Sequence, residues 1–184
     1  MSDLEALKNR ILEYAPGADV SLVDRAYAYA ARAHQGQRRL SGEPYVSHPL
    51  AVAHIMADLE LDVVSIAAAL LHDVVEDAGV ALDDLRREFG AEVALLVDGV
   101  TKLSRIQYRS REDEQVENLR KMFLAMSRDI RVLLIRLADR LHNMRTLSHL
   151  PLDRQRITAR ETLDIFAPLA HRLGMYRMKM ELED

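Results

Sequence analysis

Apolar and polar positions follow a helical period along most of the chain. Residues 2–14 form a short amphipathic segment, stopped by Pro16-Gly17. Ser21, with Asp24 three residues on, reads as the cap of a helix running to about His34. Pro49 suits the first residue of the next helix, which reaches about Leu59. Asp62 starts another, through the apolar run Ile66-Ala67-Ala68-Ala69-Leu70-Leu71 to near Gly79. Short helices are expected over 81–89, closed by Gly90, and over 91–103. Lys102 to Arg111 is polar, basic and without a clear period, as in a mobile loop or short hairpin, and 112–126 is expected to be helical. Asp129 then caps a helix containing Leu133-Leu134-Ile135-Arg136-Leu137-Ala138-Asp139. Pro151 interrupts, a long helix runs from Leu152 through Phe166, and Pro168 kinks or ends it. The period disappears between Gln35 and His48, where Gly36, Gly42 and Pro44 impose an irregular loop. The expected class is all-α.

Composition agrees. The 184 residues suffice for one domain with its own core, and 49% hydrophobic, 29% charged, with few Gly or Pro, is globular. A net charge of −4 does not favour general polyanion binding, and no direct nucleic-acid binding is expected. Among the cations Arg outnumbers Lys 21 to 4, a bias that suits planar, bidentate phosphate recognition. The absence of Cys excludes disulfides, thiol catalysis and thiolate metal sites. The N-terminus lacks a signal-peptide core and no apolar run approaches the ~20 residues that span a bilayer, so a cytoplasmic protein without membrane association is expected. Met175 to Asp184 reads as a helix still in progress, as in a piece of a longer protein.

The chemistry concentrates at His72-Asp73, followed by Glu76-Asp77 inside an otherwise apolar segment. On a continuous helix His72 aligns with Glu76 and Asp73 with Asp77. Buried carboxylates without partners cost several kcal/mol each, so either a cation or a tight ion-pair network must offset them. Adding His48, before Pro49, and Asp139, in a later apolar run, gives two histidines and two carboxylates. That mixed set suits Mn2+, Fe2+, Co2+, Ni2+ or Zn2+ more than Ca2+ or Mg2+. Asn143 and Thr146 share a helix face with Asp139, although Asp139, Arg136 and Arg140 can equally form surface ion pairs. Arg38, Arg39, Lys102, Arg105, Arg109, Arg111 and Arg145 supply a basic side, and Arg39 stands out because its loop ends in His48. Tyr45 is assigned to fixing the loop. His34, His54, His142, His149 and His171 are read as ordinary structural or surface residues.

Four motifs then coincide in order. They are Arg39-x-Ser41-Gly42-Glu43-Pro44-Tyr45-x-x-His48-Pro49, His72-Asp73-Val74-Val75-Glu76-Asp77, Val97-Asp98-Gly99-Val100-Thr101-Lys102-Leu103 and Leu137-Ala138-Asp139-Arg140-Leu141-His142-Asn143-Met144-Arg145-Thr146. Together they resemble the hydrolase domain of the RelA/SpoT homologues, which make and degrade the alarmone (p)ppGpp. The similarity runs from about Val23 to the end. It implies an all-α HD-superfamily bundle of about ten helices with a ligand-binding loop at 35–48. It also implies one Mn2+ on His48, His72, Asp73 and Asp139, with Glu76 and Asp77 as the catalytic acids. Arg39 and Ser41 would lie against guanine, and Asn143 and Thr146 would line the nucleotide pocket. Leu40 departs from relatives that carry Lys there, which leaves Arg38 or Lys102 as a substitute phosphate-binding cation.

The implied activity is Mn2+-dependent hydrolysis of the 3′-pyrophosphate of ppGpp or pppGpp, giving GDP or GTP and pyrophosphate and ending the stringent response. The resemblance further implies a single hydrolase domain over 1–184, cut from a bifunctional enzyme whose C-terminal synthetase domain would be its partner. Two alternatives stand beside it: an HD phosphohydrolase of another nucleotide, and an alarmone-binding regulatory module without turnover.

Overall fold

The computed structural model describes residues 1–105 and 128–184, and the described residues are helical with no strand. The expected helix at 112–126 and most of the expected loop at 102–111 lie outside them. Helices α1 (Asp3–Tyr14), α2 (Ser21–Ala33) and α3 (Ser47–Asp58) precede α4 (Val63–Leu71), which is the centre of the fold. Every residue of α4 from Ser65 onward is buried, and α2, α3 and α7 (Ala91–Ser104) pack around it. A helix apolar on all sides must be covered on all sides, and this one is. The short α5 (Val74–Asp77) and α6 (Leu82–Phe89) lead into α7, and α8 (Ile130–Arg145) packs on α3 and α7. A 3₁₀ turn at Leu147–His149 precedes α9 (Leu152–Glu161), a π turn (Thr162–Phe166), α10 (Ala167–Arg172) and α11 (Tyr176–Glu183). Among the described residues no helix is long and apolar enough to cross a membrane.

Capping chemistry sets most boundaries. Asp62 and Asp129 cap α4 and α8, accepting from the amides of Ser65 and Arg131. At α2 the expected cap is displaced: Ser21 is already helical, and Asp19 Oδ1 accepts from both its amide and its hydroxyl. Pro49 likewise sits two residues inside α3, which starts at Ser47. The largest departure is the single helix expected from Asp62 to Gly79. It breaks at His72-Asp73, where the His72 amide reaches back only to Ala69 O and Asp73 adopts φ −99°, ψ −7°.

The helix expected from Leu152 through Phe166 is continuous in direction but not in register. At its end the Ala167 amide bonds five residues back, to Thr162 O. Pro168, which has no amide hydrogen, then sits in the first turn of α10 rather than ending the helical path.

Candidate active site

The loop between α2 and α3 is a tight turn. The amide of Gly42 donates to Arg39 O and that of Arg39 to Glu43 O, both at 2.9 Å. Gly42 takes φ +89°, a conformation that needs glycine. The turn places Arg39 against the C-terminal end of α8. Its Nη2 donates to Asn143 Oδ1 at 3.4 Å and Thr146 Oγ1 at 3.3 Å. Arg39, Ser41, Asn143 and Thr146 all line one cavity of about 570 Å³.

His48, Asp73 and Asp139 also line that cavity, and the break after Leu71 brings His72 and Asp73 to the start of α3 and the middle of α8. His48 Nε2 lies 2.8 Å from Asp139 Oδ1 and 3.7 Å from Asp73 Oδ2. His72 Nε2 lies 3.1 Å from Asp73 Oδ2 and 3.7 Å from Asp139 Oδ1. Ligand atoms of His48, His72 and Asp139 all fall within 4.8 Å of one another, and the three residues are 2–6% exposed. This is a candidate metal-binding triad with a fourth donor, Asp73, beside it.

The donor set fits a divalent cation on its own chemistry. His72 Nδ1 lies 2.6 Å from Ala69 O; a carbonyl only accepts, so Nδ1 carries the proton. That leaves Nε2 free to ligate; it is buried and faces the Asp73 and Asp139 carboxylates without a well-aligned hydrogen bond. The electrostatics agree. Burial opposes charge on His72, yet Asp73 and Asp139 outweigh it and hold its pKa well above the ordinary value. Burial likewise opposes charge on Asp139, yet Arg136, His48 and His72 keep its carboxyl well below the usual range. Such a cluster attracts positive charge, and a proton takes the place a cation would occupy.

Glu76 and Asp77 border the same cavity. Burial, then Asp77 and Asp73, push the Glu76 carboxyl above its usual range, while Arg105 and Arg136 pull it back. Asp77 keeps the helical relation to Asp73 despite the break, its amide donating to Asp73 O at 2.8 Å. The alignment of His72 with Glu76 loses its basis, because the helix is interrupted between them.

Three residues assigned to structure or surface prove to touch the site. Tyr45 Oη lies 2.8 Å from Asp77 Oδ2 and 3.0 Å from Asp73 Oδ2, and burial and both carboxylates keep it a phenol. His142 Nδ1 sits 2.7 Å from His48 Nδ1, with its own pKa pushed down to about 4 by burial and then by His48 and Arg39. His142 thus occupies the Nδ1 side of His48, and His48 Nε2 faces the carboxylates. His149 lines the cavity. The signal for His142 was its place one turn before Thr146 in a run already carrying Asp139 and Asn143. Arg136, expected as a possible surface partner of Asp139, is paired with it inside the site. Lys102, in the last turn of α7, is bonded to Asp98 at 2.7 Å, and Arg38 donates to Gly42 O while lining the cavity.

The HD domain model matches residues 26–176. The chain belongs to the HD-domain family. It is 53% identical, over 98% of its length, to the guanosine-3′,5′-bis(diphosphate) 3′-pyrophosphohydrolase of Vibrio cholerae. To the bifunctional (p)ppGpp synthase/hydrolase SpoT of Escherichia coli it is 51% identical over the same share. The chain spans about a quarter of the length of each, 26%. A solved structure, described as a metazoan ortholog of SpoT that hydrolyzes ppGpp and plays a role in starvation responses, superposes with a TM-score of 0.62. It is 27% identical, over 78% of this chain and 82% of that one.

Proposed function

We propose that this HD domain hydrolyses the 3′-pyrophosphate of ppGpp and pppGpp, releasing pyrophosphate and GDP or GTP. The observation that carries the reading is one cavity with two walls of different chemistry. One wall is a nest of cation-binding donors bordered by Glu76 and Asp77, and the other is the Arg39–Asn143–Thr146 contact. The similarity to proteins named for this reaction supports it.

His48, His72, Asp73 and Asp139 are the residues that would hold the ion, and Mn2+ suits their two nitrogens and two carboxylates. When bound, the ion supplies Lewis-acid polarisation of a phosphoryl oxygen. Glu76 takes a proton from the attacking water, because a carboxylate held above its usual range is a better base. Asp77, fixed by Tyr45, orients that water. The water oxygen bonds to the phosphorus carried by O3′, the P–O3′ bond breaks, and O3′ takes up a proton. Arg39 stacks on or bonds the guanine, held at its far end by Asn143 and Thr146.

We further take residues 1–184 as the hydrolase portion of a longer cytoplasmic enzyme whose synthetase domain follows. The test is to run the reaction with ppGpp in ¹⁸O-water with Mn2+. The expected products are GDP and pyrophosphate, with the label in pyrophosphate. Label in GDP, or no products, overturns the reading.

A further inference from the structure

Arg136 and Arg140 lie one turn apart on α8, and both line the cavity. Both guanidiniums stand over the same buried ring, that of Phe166, with Cζ 5.4 Å and 4.3 Å from its centroid. Each has one carboxylate partner. Arg136 donates to Asp139, and Arg140 Nη2 donates to Glu161 Oε2 at 3.1 Å. Each also has an Nε that is buried and without a hydrogen-bond partner.

A stability argument does not account for this pairing. A buried Arg140 beside a largely covered Arg136, each with a buried Nε to spare, is costly, and one of their two counterions, Asp139, belongs to the group proposed to hold a cation. Once Asp139 binds a cation, Arg136 loses most of its neutralising charge. What offsets the excess is an anion with several oxygens, since a guanidinium presents five donors in a planar fork. Position along α8 says which part of the substrate this is. Arg39 meets the helix at Asn143 and Thr146, whereas the two arginines flank the cation donor Asp139, at 136 and 140, beside the place where the reacting group would sit.

We propose that Arg136 and Arg140, held on Phe166, form the pocket for the pyrophosphoryl group. This rests on the reaction assigned above. Arg136, tied to Asp139, takes oxygens of the phosphoryl group that is attacked. Arg140 takes the terminal phosphate and chooses it over Glu161. Phe166 holds both forks in place, which an ammonium in either position would not allow.

The test is calorimetric titration of the Mn2+-loaded chain with inorganic pyrophosphate and, separately, with GDP, at constant free Mn2+. Native protein is compared with Arg136→Lys, Arg140→Gln and Glu161→Gln, with circular-dichroism melting to verify folding. The expected result is at least tenfold weaker pyrophosphate binding in both arginine variants, unchanged GDP binding, and equal or tighter pyrophosphate binding in Glu161→Gln. Unchanged pyrophosphate affinity in folded Arg140→Gln overturns the pocket. So does equal weakening by Arg140→Gln and Glu161→Gln, which would mean that the ion pair only props the helices. Pyrophosphate binding that depends on Arg140 in a chain that does not cleave ppGpp would refute the reaction and leave the anion pocket standing.

Discussion

Replacing Tyr45 with Phe removes one hydroxyl and leaves the ring in place, stacked on His34 with centroids 4.5 Å apart. The hydroxyl has one proton to share between Asp77 Oδ2 at 2.8 Å and Asp73 Oδ2 at 3.0 Å. It thus ties a proposed cation ligand to a proposed water-orienting carboxylate across a loop and a helix break. A hydrogen bond to a charged group is worth about 1.5–3 kcal/mol. Lost from the reacting arrangement, that is roughly a 10–100-fold fall in kcat/KM, the range typical of partners that orient metal ligands. Stability should change little, because the ring still packs, Asp73 keeps His72 and His48 beside it, and Asp77 is exposed to water. The assay is pyrophosphate release across a Mn2+ titration, with urea unfolding in parallel. The expected result is weaker Mn2+ activation or lower kcat at nearly native stability. Native kinetics in Tyr45→Phe would refute the reasoning, and so would a loss of activity that merely tracks unfolding.

Mn2+ at 100 times its dissociation constant should stabilise the native chain by about 2.7 kcal/mol, or some ~5–10 °C in Tm, and Asp139→Ala should abolish the shift. Because the cation displaces the proton held on His72, Mn2+ affinity should rise with pH and binding should release protons, read by calorimetry in buffers of different ionisation enthalpy. At Gly99 an added Cβ would meet Val132 Cγ2 at 2.7 Å, so Gly99→Ala should destabilise by about 1–3 kcal/mol. In a Val132→Ala background the same change should instead stabilise by roughly 0.5–1 kcal/mol, the helix preference for Ala, measured by a urea-denaturation double-mutant cycle. Asp129→Ala should cost about 1 kcal/mol by uncapping α8. The Arg131 hydrogen bond depresses the Asp129 pKa, so its contribution is present above the unfolded value and lost as pH falls through the folded one. The native–variant gap in urea unfolding should therefore be full at pH 6 and shrink as pH falls below about 4.

The helices were legible wherever an apolar stripe and a local cap coincided, as at Asp62 and Asp129, because both signals lie within one turn of sequence. The break at His72-Asp73 was not, since the residues on both sides are good helix formers. What interrupts the helix is a backbone turn stabilised by His72 reaching back to Ala69, in a region packed on all sides. The π turn before Pro168 is a register shift, which a hydrophobic period does not encode. Polar residues inside apolar runs drew attention to His72, Asp73 and Asp139. Their meeting with His48, 91 residues from Asp139, is tertiary. The roles of Tyr45 and His142 were hidden for the same reason: each acts on a partner far away in sequence, Asp77 and His48. Arg136 and Arg140 looked like ordinary helix-surface cations until Phe166 was seen beneath both.

The central claim is that one cavity joins a cation held by His48, His72, Asp73 and Asp139 to a water activated by Glu76. Its most direct test is pyrophosphate release from ppGpp with Mn2+, comparing the native chain with Asp73→Ala and Glu76→Ala. The account predicts turnover in the native chain, its loss in both variants, and Mn2+ binding weakened only in Asp73→Ala. Turnover that survives either substitution, or a native chain that binds ppGpp without cleaving it, would contradict the account.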